Sequence, residues 1–240
     1  MGEISIDPKF NIHETYKKVR ILNPYRNSGA PSGGIAPTNG LVSAYNLDET
    51  SGTTIYDSFG SDHLTATNLA IGLEGKIGTS VSAIDDTGGA STTTATPITG
   101  NFTISAWVYP TDASITNSGI FDVGQFSSNG FGVWVFSDGR ISFRINGSYN
   151  NYGTIAMPLN QWSHICMIYN GESVKVYIDN VLDKSTPFSQ NPNTSTNRII
   201  GRRAGYKQFV GRVDLAYLYN VAITDEERDQ LFNNGDGASI

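Results

Sequence analysis

The chain has 240 residues, with 22 acidic against 16 basic side chains and a net charge of −6 at pH 7. That balance excludes a partner held chiefly through its phosphates, which needs concentrated Lys and Arg, and no stretch approaches the roughly 20 apolar residues of a membrane-spanning helix. With 26 Gly, 12 Tyr, 11 Phe and 3 Trp, the composition is that of many short strands joined by turns, within the size of one all-β domain.

In chain order, residues 1–26 come first and differ from the rest. They carry five basic against three acidic side chains, a cationic segment ahead of an acidic body. Ile4, Ile6, Phe10, Ile12, Tyr16, Ile21, Leu22 and Tyr25, with Arg26, are too apolar for a solvated tail and too scattered for a separate core. Two readings stay open: an extra edge strand on the chain's own sandwich, or an arm anchored in a partner. Residues 1–10 lack the apolar run of a secretory leader, and Ile6 stands where a myristoylation site needs Ser or Thr. Residues 27–40 contain four Gly, two Pro and two Ser, the composition of a linker.

The domain proper begins with a strand at 41–46, and another is expected within 64–73. In 102–108, Phe102, Ile104, Ala106 and Val108 share one face and Thr103, Ser105 and Trp107 the other. Strands follow at 119–126, 131–136 and 140–145, the last two joined by an Asp138-Gly139 turn. Residues 161–183 form a ribbon about Asn170-Gly171, a pair suited to the positive φ of a tight hairpin. There Val174, Val176 and Ile178 face one way and Lys175, Tyr177 and Asp179 the other, and a second turn at Asp179-Asn180 sends Val181 and Leu182 back. The last long strand spans about 209–219. Thr224 with Glu227 then makes a capping box for a short helix ending near Phe232, docked by Leu231 and Phe232. Cys166, the single cysteine, lies within a strand and reads as a buried, inert thiol. His164, beside it on the same strand, reads as a hydrogen-bonded core residue.

Four of these segments resemble the laminin-G-like domains of the concanavalin A-like lectin/glucanase superfamily, in order and over about residues 40–235. They are GLVSAYNLDETSGTTIYDSFG (40–60), NFTISAWVYP (101–110), the hairpin ending in VYIDN, and the close from 199 to 232. The resemblance implies an all-β, two-sheet antiparallel β-sandwich, a concanavalin A-like jelly roll, with an extended N-terminal arm and a short C-terminal helix. The layout expected is an anchoring arm at 1–26, a linker at 27–40 and the sandwich at 41–240.

The resemblance also implies candidate sites. Relatives often hold one structural Ca²⁺ through loop carboxylates and carbonyls; Asp57 and Asp214 fall on the family's acidic positions, and Asp62 is a substitute third ligand. Leu215 stands where the family is commonly acidic. Glycanase relatives carry a Glu-x-Asp-x-x-Glu strand, which this chain lacks, and no G-x-S-x-G nucleophile motif occurs. Lectin sites join an exposed aromatic ring to Asn- and Gly-rich loops. Asn146, Tyr149, Asn151 and Tyr152 have that composition, with Trp134 and Tyr206 as further platforms.

The segment ILNPYR (21–26) resembles the N-terminal segments of tailed-phage virion proteins. The expectation is a non-enzymatic virion structural protein, assembled in a host cytoplasm, self-associating, and bound to other virion proteins by its arm. Its lectin-like domain would face host glycans, without nucleic acid or membrane insertion. The alternative is a free carbohydrate-binding module of a bacterial protein; a glycosidase ranks third.

Overall fold

A computed structural model describes residues 33–112, 118–124, 130–147, 151–192, 196–203 and 207–240. The nine arm residues named above lie outside them. Pro31 to Ile240 form one compact unit.

The strands in chain order are β1 (Gly34–Ile35), β2 (Leu41–Tyr45), β3 (Thr54–Ile55), β4 (Leu64–Thr67), β5 (Leu69–Glu74) and β6 (Thr79–Ala83). Next are β7 (Gly89–Thr92), β8 (Phe102–Pro110), β9 (Ser118–Val123), β10 (Phe131–Val135), β11 (Arg140–Ile145) and β12 (Asn151–Ala156). Then come β13 (Ser163–Tyr169), β14 (Ser173–Ile178), β15 (Val181–Pro187), β16 (Arg198–Ile200) and β17 (Gly211–Tyr219), followed by helix α1 (Asp225–Phe232) and β18 (Ala238–Ser239). A front sheet runs β12-β11-β10-β9-β16-β7-β4-β3, and a back sheet runs β15-β14-β13-β8-β17-β6-β5 with β2 also on β17. Strand pairing within both sheets is antiparallel, so the sandwich and the short C-terminal helix are as expected.

Local chemistry explains the hairpins. Asn170 Oδ1 accepts the N–H groups of Glu172 and Ser173, and Gly171 takes φ +88° between β13 and β14. Asp179 and Asn180 both take positive φ, the pair of left-handed residues that matches strand twist. At α1 the Thr224 hydroxyl accepts from Glu227 N–H while the Glu227 carboxylate accepts from Thr224 N–H, the reciprocal cap that the sequence predicts.

Alternation then fills two layers. Phe102, Ile104, Ala106 and Val108 meet Phe121, Val133, Ile141, Phe143, Ile165 and Met167 between the sheets. On the outer side of the back sheet, Trp107, Cys166, Tyr177, Leu215, Tyr217 and Tyr219 pack with Leu231, and Phe232 stacks on Trp107 at 5.9 Å and 8°. Helix α1, Ala36 and Ala238 thus help seal that face.

Two expectations change. The single strand sought in 64–73 is two strands in different sheets, because Asn68 at φ +40° turns the chain from β4 into β5. The stretch read as a linker is docked from its middle: β1 pairs with β18, Ala36 is buried, and Tyr219 Oη donates to the Pro37 carbonyl.

Candidate functional site

Register decides which side chains share the outer face of the front sheet. Trp134 pairs with Ser142 and Ser142 with Tyr152; Gly132 pairs with Arg144 and Asp122, and Asp122 with Ile199. Asp122, Trp134, Ser142, Arg144 and Tyr152 therefore lie together on the side away from the core. Glycines allow close cover over them. A Cβ on Gly132 would come 2.3 Å from the Asp122 carboxylate, and one on Gly119 would come 2.1 Å from the Arg203 backbone.

That approach sets the Arg203 guanidinium 4.6 Å from the Trp134 ring centroid, a cation–π contact. Trp134 is consequently only 4% exposed; it is not the accessible platform that the sequence suggested, because an arginine of its own chain covers it. Tyr152 and Asn151 belong to β12 rather than to a loop. The Tyr152 ring is half-buried, edge-on to Phe136 at 4.9 Å, with the Arg140 guanidinium 6.0 Å from its centroid. Asn146 occupies a turn at φ +48° and donates its amide to the Asn191 carbonyl at 2.7 Å. Tyr149 and Tyr206 lie outside the described residues.

The charge on this sheet is one-sided. Its eight strands contain Arg140, Arg144 and Arg198 but a single acidic residue, Asp122. Arg198 belongs to the inner side, since it pairs with the core residue Val123, and it is fully buried.

A second feature is the loop of residues 56–63, which joins β3 to β4 at the far edge of the same sheet. Buried Asp57 organises it. Its Oδ1 accepts from Ala44, Phe59 and Gly60 N–H at 2.9, 3.1 and 2.8 Å, and its Oδ2 from Asp62 N–H at 3.2 Å. Asp57 N–H donates to His63 Nδ1 at 3.0 Å. Asp62 ties the loop to residue 96: its Oδ2 accepts from Thr96 N–H at 2.9 Å, and its carbonyl accepts from Tyr45 Oη at 2.7 Å. The Thr96 carbonyl in turn accepts from Arg198, whose positive charge interacts with both Asp62 and Asp57. Glu49 Oε1 holds Tyr56 N–H at 2.7 Å. Between these fixed points Tyr56, Ser58, Phe59, Ser61 and His63 are exposed.

The metal expectation is corrected by this geometry. Asp214 pairs with Trp107 on the back sheet, and its Oδ2 accepts from Lys76 and Ile77 N–H at 2.6 and 3.1 Å while Oδ1 accepts from Leu215 N–H at 2.8 Å. Burial pushes its carboxyl well above the usual carboxylate range, against the pull of those three donors. Asp57 and Asp62 answer instead to Ala44, Thr96 and Arg198. Among the described residues no group of three or more His, Cys, Asp or Glu side chains is placed to hold a metal ion. The three carboxylates do not fit a shared Ca²⁺; they pin backbone, with Arg198 as counter-charge for two of them.

His164 and Cys166 are packed inside the back layer. His164 is fully buried, bonded through Nε2 to Ser105 Oγ at 2.8 Å, and packed 5.2 Å from the Trp107 ring. Burial lowers its pKa to about 3 and pushes the Cys166 thiol up to about 12. Glu172 follows a turn, and Glu226 and Glu227 open α1. The carboxylate pins, the cover on Trp134 and the exposed pair Tyr56 and Phe59 were all missed in the sequence; the one readable signal was two aspartates flanking an aromatic.

Comparisons with known proteins agree with this architecture. The family model described as the concanavalin A-like lectin/glucanases superfamily matches residues 85–227, more than half of the chain. No curated protein sequence matches. Among solved structures, a Trypanosoma rangeli sialidase in complex with the inhibitor DANA superposes with TM-score 0.67 and 16% identity, over 85% of this chain and 34% of that one. The chain thus spans about a third of that enzyme's length. Domain 4 of AbnA, an extracellular arabinanase from Geobacillus stearothermophilus, in complex with arabinotriose, gives TM-score 0.56 and 18% identity over 80% and 97% of the two chains. The binding domain of Paraclostridial Mosquitocidal Protein 1 gives TM-score 0.62 and 17% identity over 82% and 52%. At such identities the likeness is one of fold. Taken with the two sheets and their registers, the family match means that the chain belongs to the concanavalin A-like lectin/glucanases superfamily.

Proposed function

We propose that this chain is a non-enzymatic structural protein of a phage virion, anchored through residues 1–26 and presenting a lectin-like sandwich to host-surface glycans. The observation that carries the binding reading is the charge of the front sheet. Most glycosidases use two carboxylates about 5–10 Å apart, and Asp122 is the only acidic residue in the sheet's eight strands. On its outer side the partly exposed Arg140 and Tyr152, in cation–π contact, suit recognition of a polar ligand instead. The arm reading is supported by the cationic, apolar makeup of residues 1–26 and by the resemblance of residues 21–26 to virion proteins. Assembly in a host cytoplasm and symmetric self-association go with it.

The test uses purified particles. Mass spectrometry should find the chain, and amine cross-linking should join Lys9, Lys17 or Lys18 to another virion protein. Absence from particles removes the virion role, and release of reducing ends from a polysaccharide removes the non-enzymatic one. A free carbohydrate-binding module is the second reading, favoured by likeness to nearly the whole of an arabinanase domain described with arabinotriose.

A further inference from the structure

We infer that the 56–63 loop is a stacking site for uncharged sugar rings, with Tyr56 and Phe59 as its platforms. This rests on the carbohydrate-binding reading but places the contact at the opposite edge of the front sheet from Trp134 and Tyr152. Four observations carry it.

The first is exposure. Tyr56 is 57% and Phe59 47% exposed, and no other aromatic side chain among the described residues is exposed to that degree. Single exposed leucines or valines are ordinary, whereas two exposed rings on one eight-residue loop are a feature that points to an interaction site.

The second is rigidity. Asp57, Asp62 and Glu49 together fix the N–H groups of Tyr56, Phe59, Gly60 and Asp62, and they tie the loop to Ala44 and Thr96. A ring held on such a frame gives up little further freedom when it binds, so more of the contact energy appears as affinity. Tyr56 is further steadied by the His63 ring, edge-on at 5.3 Å.

The third is polar reach. Ser58 and Ser61 are exposed, and His63 Nδ1 accepts Asp57 N–H, so the neutral imidazole carries its proton on Nε2. The loop thus offers two exposed hydroxyls, and one N–H donor with a defined tautomer beside the Tyr56 ring. Sugar recognition needs this mixture: an apolar ring face against an aromatic, and hydroxyls met by a few placed polar groups.

The fourth observation sets the ligand class. Residues 41–75 contain no Lys or Arg, while Asp48, Glu49, Asp57, Asp62 and Glu74 are acidic. Arg198, the cation whose charge interacts with Asp57 and Asp62, is fully buried and bonded to Thr96 and Asn197 carbonyls. Sialylated, uronic or sulfated sugars would find no guanidinium within residues 41–75 to pair with. The site therefore selects neutral hexose or pentose units.

The experiment compares the full chain with its Tyr56→Ala, Phe59→Ala and double variants on an array of neutral, sialylated, uronic and sulfated glycans. The strongest neutral hit is then titrated calorimetrically. Neutral glycans should bind, each alanine should weaken binding by about tenfold or more, Tyr56→Phe should retain it, and melting temperatures should stay within about 2 °C, as expected for exposed positions. Binding that survives the double variant overturns this site and leaves the carbohydrate-binding reading standing. Binding confined to acidic glycans overturns it as well, as does a double variant whose sole change is reduced self-association in sedimentation. Silence across the whole array removes both readings.

Discussion

The two sheets turn opposite characters outward. Behind the back sheet lie Trp107, Tyr217, Tyr219, Leu215 and Cys166, capped by Leu231 and the ring of Phe232. The front sheet's outer face carries Asp122, Arg144, Ser142 and a Trp134 that meets a guanidinium instead of a hydrocarbon. Both faces are buried, yet one has the makeup of a second core and the other that of a buried polar layer. Burying charge yields little net stability, since desolvation cancels much of the attraction. The stability of the sandwich thus belongs to the interior and the back, leaving the front sheet and its rim to specificity.

That division can be broken or sharpened by experiment. The largest effect should come from pH acting on the back face. His164 is neutral in the fold with a pKa near 3, whereas the unfolded chain takes up a proton below about 6.5. Its contribution is therefore intact above pH 6.5 and is lost progressively as pH falls toward 3, roughly 4 kcal/mol over that window. Denaturant melts between pH 7 and 4 should show this slope, and His164→Gln should flatten it. Next, Asp214→Ala removes the acceptor of three N–H groups, those of half-buried Lys76 and Ile77 and of buried Leu215, and should cost about 3 kcal/mol in urea unfolding. Thr224→Ala removes one half of the α1 cap and should cost about 1 kcal/mol. Smallest of all, Ser142→Ala on the front face should change stability by no more than about 0.5 kcal/mol. If it proves as costly as Asp214→Ala, the two faces are not divided in this way.

Much of this was legible in the sequence, for local reasons. Asn170-Gly171, Asp138-Gly139, Asp179-Asn180 and the Thr224–Glu227 pair specify their turns and cap within a few residues, and alternation in 102–108 and 174–178 separates core from outer face. Where long-range contacts decide, the same sequence is silent. Nothing near Trp134 announces that Arg203, brought over by a bare Gly119, will cover it. Asp57, Asp62 and Asp214 look alike as acidic positions in a family motif. Only the fold shows that two of them meet Arg198 and the loop's own backbone, while the third caps residues 76 and 77. One asparagine, Asn68, moves the chain between sheets where continuous β propensity suggested a single strand.

The side of the sandwich where β15 and β12 end their sheets has a guard of its own. Asp183, on β15, reaches across so that its Oδ1 accepts the N–H groups of Thr154 and Ile155 at 2.6 and 2.8 Å and the Thr154 hydroxyl at 3.0 Å. Terminal strands ordinarily expose such donors as a template for foreign chains. Here a carboxylate has already claimed them, and no incoming strand can use them without stranding a negative charge. Molecules crowded side by side can then stay separate instead of zipping into fibres.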